Sequence, residues 1–146
     1  MSYVDTRIAL EMRLKDNWTQ TVIKWENVRF DPPVNGTNNP LPYIAFSIRD
    51  GAAEDIALGS WNPIQRYTGT VVIQVLVPEK TSLILATQYG EFIKNIYLSP
   101  PRDFQYQQSG MIRLFPPYLV TVGEVAGWAQ VNVLVPFRRD ARPPVA

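Results

Sequence analysis

Catalysis needs side chains that carry protons, metals or electrons, and this chain is short of them. Its 146 residues include no histidine and no cysteine. That removes the commonest general base and the commonest metal ligands. It also removes disulfide and thiolate chemistry. The serines have no histidine to activate them, so a Ser-His-Asp arrangement does not arise. A carboxylate-only cation site needs several converging oxygens. The one adjacent pair of acids, Glu54-Asp55, reads as a solvated loop. No pairing of carboxylates suits a glycosidase. The glycines are scattered and form neither GxGxxG nor GxxxxGK[ST], so no phosphate cradle is encoded. Neither a cofactor nor a metal is expected.

What remains is recognition chemistry, carried by aromatic and arginine side chains. Trp25 and Trp61 border two turn-rich stretches, Asn27–Pro42 and Gly59–Arg66, with Phe30 and Arg66 beside them. Arg138, Arg139 and Arg142 cluster in a polar, proline-bearing segment near the end of the chain. Tryptophan and arginine dominate interface energetics, so these seven residues are the candidate contact residues. Trp18 and Trp128 fall in periodic segments and are expected in the core. Arg29-Phe30 and Arg66-Tyr67 have the interleaving that stacks on single-stranded nucleic acid. The balance of 14 basic against 13 acidic residues argues against a broad nucleic-acid grip.

The elements that position these residues centre on Arg66–Pro100. Thr70–Val77 is the strongest strand signal, with Gly69 leading into it and Pro78 stopping it. Thr81 or Ser82 then caps a helix. Leu85, Tyr89, Phe92, Ile93 and Ile96 lie on one face of it, and Ser99-Pro100-Pro101 ends it. Gly90 inside this helix implies the close approach of a strand. Residues 3–18 predict a first helix, with Ser2 at the cap and Asp5 three residues on. Its wide apolar face holds Val4, Ile8, Met12, Leu10, Leu14 and Trp18.

Further strands are predicted at Val22–Trp25, around Ile44–Ile48, at Ile56–Gly59, Phe104–Tyr106, Met111–Phe115, Tyr118–Val122 and Trp128–Phe137. Asp50-Gly51 reads as a turn. Asn27–Pro42 suits a hairpin arm with Asn35-Gly36 at its tip. Val71, Ile73, Val75 and Val77 match Val131, Val133, Val135 and Phe137 as one buried face. Gln74 and Asn132 fall on the opposite face with Thr70, Val72 and Leu76. Half-apolar faces of this kind meet other subunits. Residues 138–146 are expected to be extended and ordered by a partner. The fold class is α+β, a mostly antiparallel sheet with two helices on one face and long hairpin-like loops, in a single domain spanning 1–146. No apolar run has membrane-spanning length, and the amphipathic N-terminus is not a secretory signal. The two Asn-x-Thr triplets at Asn17 and Asn35 are therefore expected to stay unglycosylated.

Several of these features occur together in one family. The first helix is followed by Ile23-Lys24-Trp25-Glu26-Asn27-Val28-Arg29-Phe30 and a Pro/Asn-rich loop to Pro42-Tyr43-Ile44. Then come Arg66-Tyr67-Thr68-Gly69, the long strand to Pro78, an amphipathic helix and a final strand with Trp128, Val131 and Val133. This order resembles the tail terminator proteins of long-tailed bacteriophages and related tailed particles. The resemblance implies a structural protein of the virion, assembled in the host cytoplasm, with no catalytic signature. It implies a homo-hexameric ring on the head-proximal end of the tail tube. Such a ring stops tube polymerisation, offers a docking surface to the head-tail connector, and lets DNA pass through its lumen without specific binding. The partners implied are the chain itself, the tail-tube protein and the connector, with no membrane. Another neck or tail component, a connector adaptor or tail-tube protein, is the alternative. A small wall hydrolase is the distant one, opposed by the missing histidine and cysteine.

Overall fold

The computed structural model describes residues 2–56, 63–79, 81–105 and 111–141. Helix α1 spans Ser2–Asn17, strand β1 Val22–Lys24, β2 Tyr43–Asp55, β3 Gln65–Pro78, and helix α2 Leu83–Leu98. Strands β4 (Asp103–Gln105), β5 (Met111–Leu114), β6 (Tyr118–Val125) and β7 (Trp128–Ala141) follow. The seven strands form one curled sheet in the order β1-β2-β3-β7-β5-β4, and β6 also pairs with β7. Every pairing is antiparallel except that of β1 with β2. The fold is α+β, with both helices on one face of the sheet.

Period-two alternation builds the core. In register across β2, β3 and β7 stand Ile44, Val75 and Val131, then Phe46, Ile73 and Val133. With Val71, Val77, Val135 and Phe137 they are all buried. Fully burying each such side chain is worth about 1.5–3 kcal/mol, which holds the register against slippage. Gly90 lies where α2 crosses this layer. A Cβ there would come within 2.8 Å of Leu119 Cδ2 and 3.4 Å of Val131 Cγ1. The close approach expected of this glycine is what the structure contains.

Ser82 caps α2 by accepting from the Ile84 N–H at 3.1 Å. Ser99 ends it, its own N–H bonded to Asn95 O. Helix α2 buries Ala86, Gly90, Ile93 and Tyr97, with Leu85, Tyr89 and Ile96 half-buried against the same core, so of the face read in the sequence only Phe92 is exposed. Helix α1 is held to α2 by two polar ties. Tyr97 Oη donates to Leu10 O at 2.9 Å inside the core, and burial pushes this phenol's pKa up. Arg13 donates to the carbonyls of Ile96, Ser99 and Pro101, which fills orphan acceptors at the end of α2.

Several expectations are corrected. Ser2 is the first helical residue rather than the cap. Only Leu10, Leu14 and Trp18 of the wide α1 face are buried, while Val4, Ile8 and Met12 face outward. Asp50-Gly51 is not a turn: β2 runs through it with a register shift between Asp50 and Ala53, a bulge that extends the strand to Asp55. Gly69 is inside β3 rather than leading into it, because Phe137 packs over it. Ile56 belongs to no strand, and the rest of the predicted strand Ile56–Gly59 lies outside the described residues.

Candidate functional site

The segment Arg138–Ala141 is not an extended tail. It is the last turn of the ladder in β7, paired with Gln65–Thr68 of β3 on one side and with Met111–Arg113 of β5 on the other. The alternation of the strand sends Arg138 and Asp140 to the outer sheet face and Arg139 into the core side. Arg142 and Trp61 lie outside the described residues.

On the outer face the charges form a row. Arg66 grips Asp140 with both prongs of its guanidinium, Nε to Oδ1 at 2.9 Å and Nη2 to Oδ2 at 3.1 Å. This fork holds the Asp140 carboxyl below the usual carboxylate range. Arg138 Nε lies 3.9 Å from the same carboxylate. Arg113 stands opposite Arg138 in register, a like-charge pairing that would be unfavourable alone. Both guanidiniums lie over the Phe115 ring, at 5.9 and 5.6 Å, and Arg113 pairs outward with Asp103 at 3.3 Å. The row Asp103, Arg113, Phe115, Arg138, Asp140, Arg66 therefore balances much of its own charge.

Arg139 has a different setting. It is 1% exposed, and its guanidinium carbon lies 4.1 Å from the Tyr67 ring centroid and 5.2 Å from that of Tyr3. Burial lowers its pKa, and the nearby tyrosines, Asp50 and Asp5 oppose that shift.

The candidates near the first loop are spread over the edge of the sheet. Trp25 is half-buried and packs on Phe46, ring centroids 5.4 Å apart. Its neighbour Glu26 explains more of the local structure. The Glu26 carboxylate accepts from the Ile48 N–H at 2.7 Å, on the edge of β2 beyond the end of β1, and from Arg7 at 2.9 Å. A side chain so placed covers an edge amide that would otherwise invite a foreign strand. Phe30 starts an aromatic row, 4.9 Å from Tyr43, which is 5.2 Å from Trp128. Trp128 is accordingly half-exposed on the outer face and not in the core, whereas Trp18 is buried as expected.

The loop between β1 and β2 does carry a small hairpin. Val34 bridges Pro40, and Leu41 N–H donates to Pro33 O. Its tip is the five residues Asn35–Asn39, not a two-residue Asn-Gly turn. Asn35 Oδ1 accepts from the N–H groups of Thr37 and Asn39 and from the Thr37 hydroxyl, and Asn38, not Gly36, takes the positive φ of 60°. The tip is wholly exposed. Two other surfaces are unpartnered by a helix. The outer sheet face shows half-buried Tyr43, Ala45, Gln74, Leu76, Asn132 and Leu134, and β6 exposes Tyr118, Val120, Val122 and Val125.

Sequence reading missed Tyr3, Arg113 and Phe115, and took Tyr67 only as the aromatic beside Arg66. Each gains its role from register or from helix packing across long stretches of chain. The only local hint was the run Arg138-Arg139-Asp140 following a clear strand, where alternation forces one arginine inward.

The described residues present an open outer sheet face, an exposed hairpin and a flank whose charges are largely paired. Residues 5–100 match the family model described as phage tail terminator protein. The chain belongs to that family, and so is a structural protein of the phage tail and a part of the virion. No curated protein matches it. A search of solved structures finds 18 matching chains. One of them shares the fold with a TM-score of 0.71 over 99% of each chain, at 20% identity. No helix among the described residues is long and apolar enough to cross a membrane.

Proposed function

We propose that this chain is the ring-forming terminator of the tail tube. As a homo-hexamer it caps the head-proximal end of the tube, stops polymerisation and presents a docking surface to the head-tail connector. The family match over residues 5–100 carries this reading. A head-to-tail interface that closes by rotation makes a ring from one kind of chain. The exposed hairpin tip, the outer sheet face and the apolar residues of β6 are surfaces suited to such contacts. In this reading the chain acts as a single domain, and Trp25, Phe30, Trp61 and Arg66 anchor the subunit contacts. Arg138 on the outer face, and Arg142 with it in this reading, meet a protein partner, whereas Arg139 is enclosed and takes no part in that contact. Two aspartates offset most of the charge of the three arginines in the outer row, which favours free passage of DNA, because tight phosphate binding needs uncompensated Lys and Arg and is steeply salt-dependent.

Native mass measurement of the purified chain, and of the chain in assembled particles, tests the ring. The expected mass is six subunits, and a strict monomer in both settings contradicts it. Phe30→Ala is expected to weaken assembly by about 2 kcal/mol, the cost typical of an interface hot spot, with the monomer still folded.

A further inference from the structure

Arg139 is a charged side chain taken almost wholly out of water, and its Nη1 and Nη2 atoms have no hydrogen-bond partner among the described residues. Desolvating such an ion costs several kcal/mol, and leaving its donors unfilled adds to that. The rings of Tyr67 and Tyr3 offset part of the cost through their faces, which supply no acceptor in the plane of the guanidinium. Beside Arg139 lies a cavity of about 60 Å³ whose lining includes Tyr3, Thr6, Asp50, Tyr67 and Thr68. Tyr3, Asp50 and Thr68 are exposed, so the cavity reaches the surface along that rim.

We propose that this cavity is a binding site for a single carboxylate group, gripped by the guanidinium fork of Arg139. Both unfilled nitrogens are closed off from solvent, so a carboxylate reaches them by displacing the half-exposed Tyr3 ring. The two nitrogens then match its two oxygens, a pairing that Arg makes and Lys does not. The cavity has room for several waters, which is enough for a carboxylate head. Charge selects against larger anions. Arg7 on the rim is already paired with Glu26 and Glu11. Asp50 is exposed and Asp5 half-buried, and their partly screened repulsion weighs against a dianion such as phosphate. The carboxylate comes either from a small free acid or from an aspartate or glutamate of a second copy of this chain. The site itself does not depend on the ring; only the second source rests on it.

The test is a titration of the full chain with ¹³C-labelled acetate and formate against chloride at constant ionic strength, followed by NMR. Saturable binding of one carboxylate per chain is expected, with no saturation by phosphate. Arg139→Lys is expected to weaken binding about tenfold or more, because it keeps the charge and loses the fork. Asp50→Asn leaves the fork in place and is expected to tighten binding several-fold. A linear, unsaturable response overturns the proposal, as does equal binding by parent and Arg139→Lys. If Arg139→Lys does not fold, unchanged affinity in Asp50→Asn overturns it instead. Sedimentation at saturating acetate then assigns the source. Weakened self-association points to an acidic side chain of the second copy, and unaltered self-association to a free acid.

Discussion

Arg138 and Arg139 are neighbours in the chain and opposites in circumstance. One lies over Phe115 on the outer face, near Asp140, in a half-exposed row of three arginines and two aspartates. The other is enclosed between two tyrosine rings, its outer nitrogens unfilled. The same residue type, one peptide apart, is screened in the first place and stores an unmet demand for an anion in the second. The difference comes from strand alternation alone, which makes it open to experiment one position at a time.

The largest effect is expected from reversing the inner charge. Arg139→Glu puts a buried carboxylate near Asp50 and Asp5 with no cation to meet it, and is expected to cost about 3–5 kcal/mol, the scale of an uncompensated buried charge. Thermal or urea unfolding measures it. The same reversal at Arg138 should cost far less. Gly69→Ala comes next. Its Cβ would fall 2.6 Å from Phe137 Cζ and 3.1 Å from Arg49 O, so ring and backbone must both shift. Overpacking of this kind typically costs about 1–3 kcal/mol. Unaltered stability would mean that the inner face next to Arg139 is looser than its contacts indicate.

A third substitution separates charge from shape. Arg139→Met fills a similar volume with an apolar chain that suits the two rings. Replacing buried ions by apolar residues of like size is often neutral or stabilising. In carboxylate-free buffer the variant is expected to be at least as stable as the parent within about 1 kcal/mol, with carboxylate binding lost. A loss as large as that of Arg139→Glu would show that the guanidinium is satisfied in the folded chain.

The smallest effect belongs to the outer row. The Asp140 carboxyl is held below its ordinary value of 3.8 by the Arg66 fork. Its folded form therefore takes up a proton less readily than its unfolded form. The stabilisation is fully present above the ordinary value and is lost as pH falls through the lowered one. Asp140→Asn should be slightly less stable than the parent at neutral pH, and the two stability curves should converge in acid. Parallel curves down to strongly acidic pH would remove the fork from the stability of the fold.

This contrast marks what was legible in the sequence. The paired apolar faces of β3 and β7, the Ser82 cap, the close approach at Gly90 and the α+β class follow from local pattern, because period and capping are short-range chemistry. The bulge at Asp50 does not, since Asp-Gly suits a turn and a bulge equally until the partner strand is known. The inward placement of Arg139 was hidden by composition: Arg-Arg-Asp-Ala-Arg-Pro-Pro reads as a polar tail, and only pairing with both β3 and β5 carries the strand onward. Arg113 and Phe115 join the outer row through that same register. The role of Glu26 depends on a strand edge more than twenty residues away in sequence.

The terminator reading meets its most direct test in the lengths of tail tubes. Tube protein is polymerised with and without the purified chain, and the tubes are imaged by electron microscopy. With the chain present, tubes are expected to stop elongating and to carry a six-fold ring at one end. Tubes that keep growing to the same lengths, with no density at either end, would contradict the assignment of this chain as the cap.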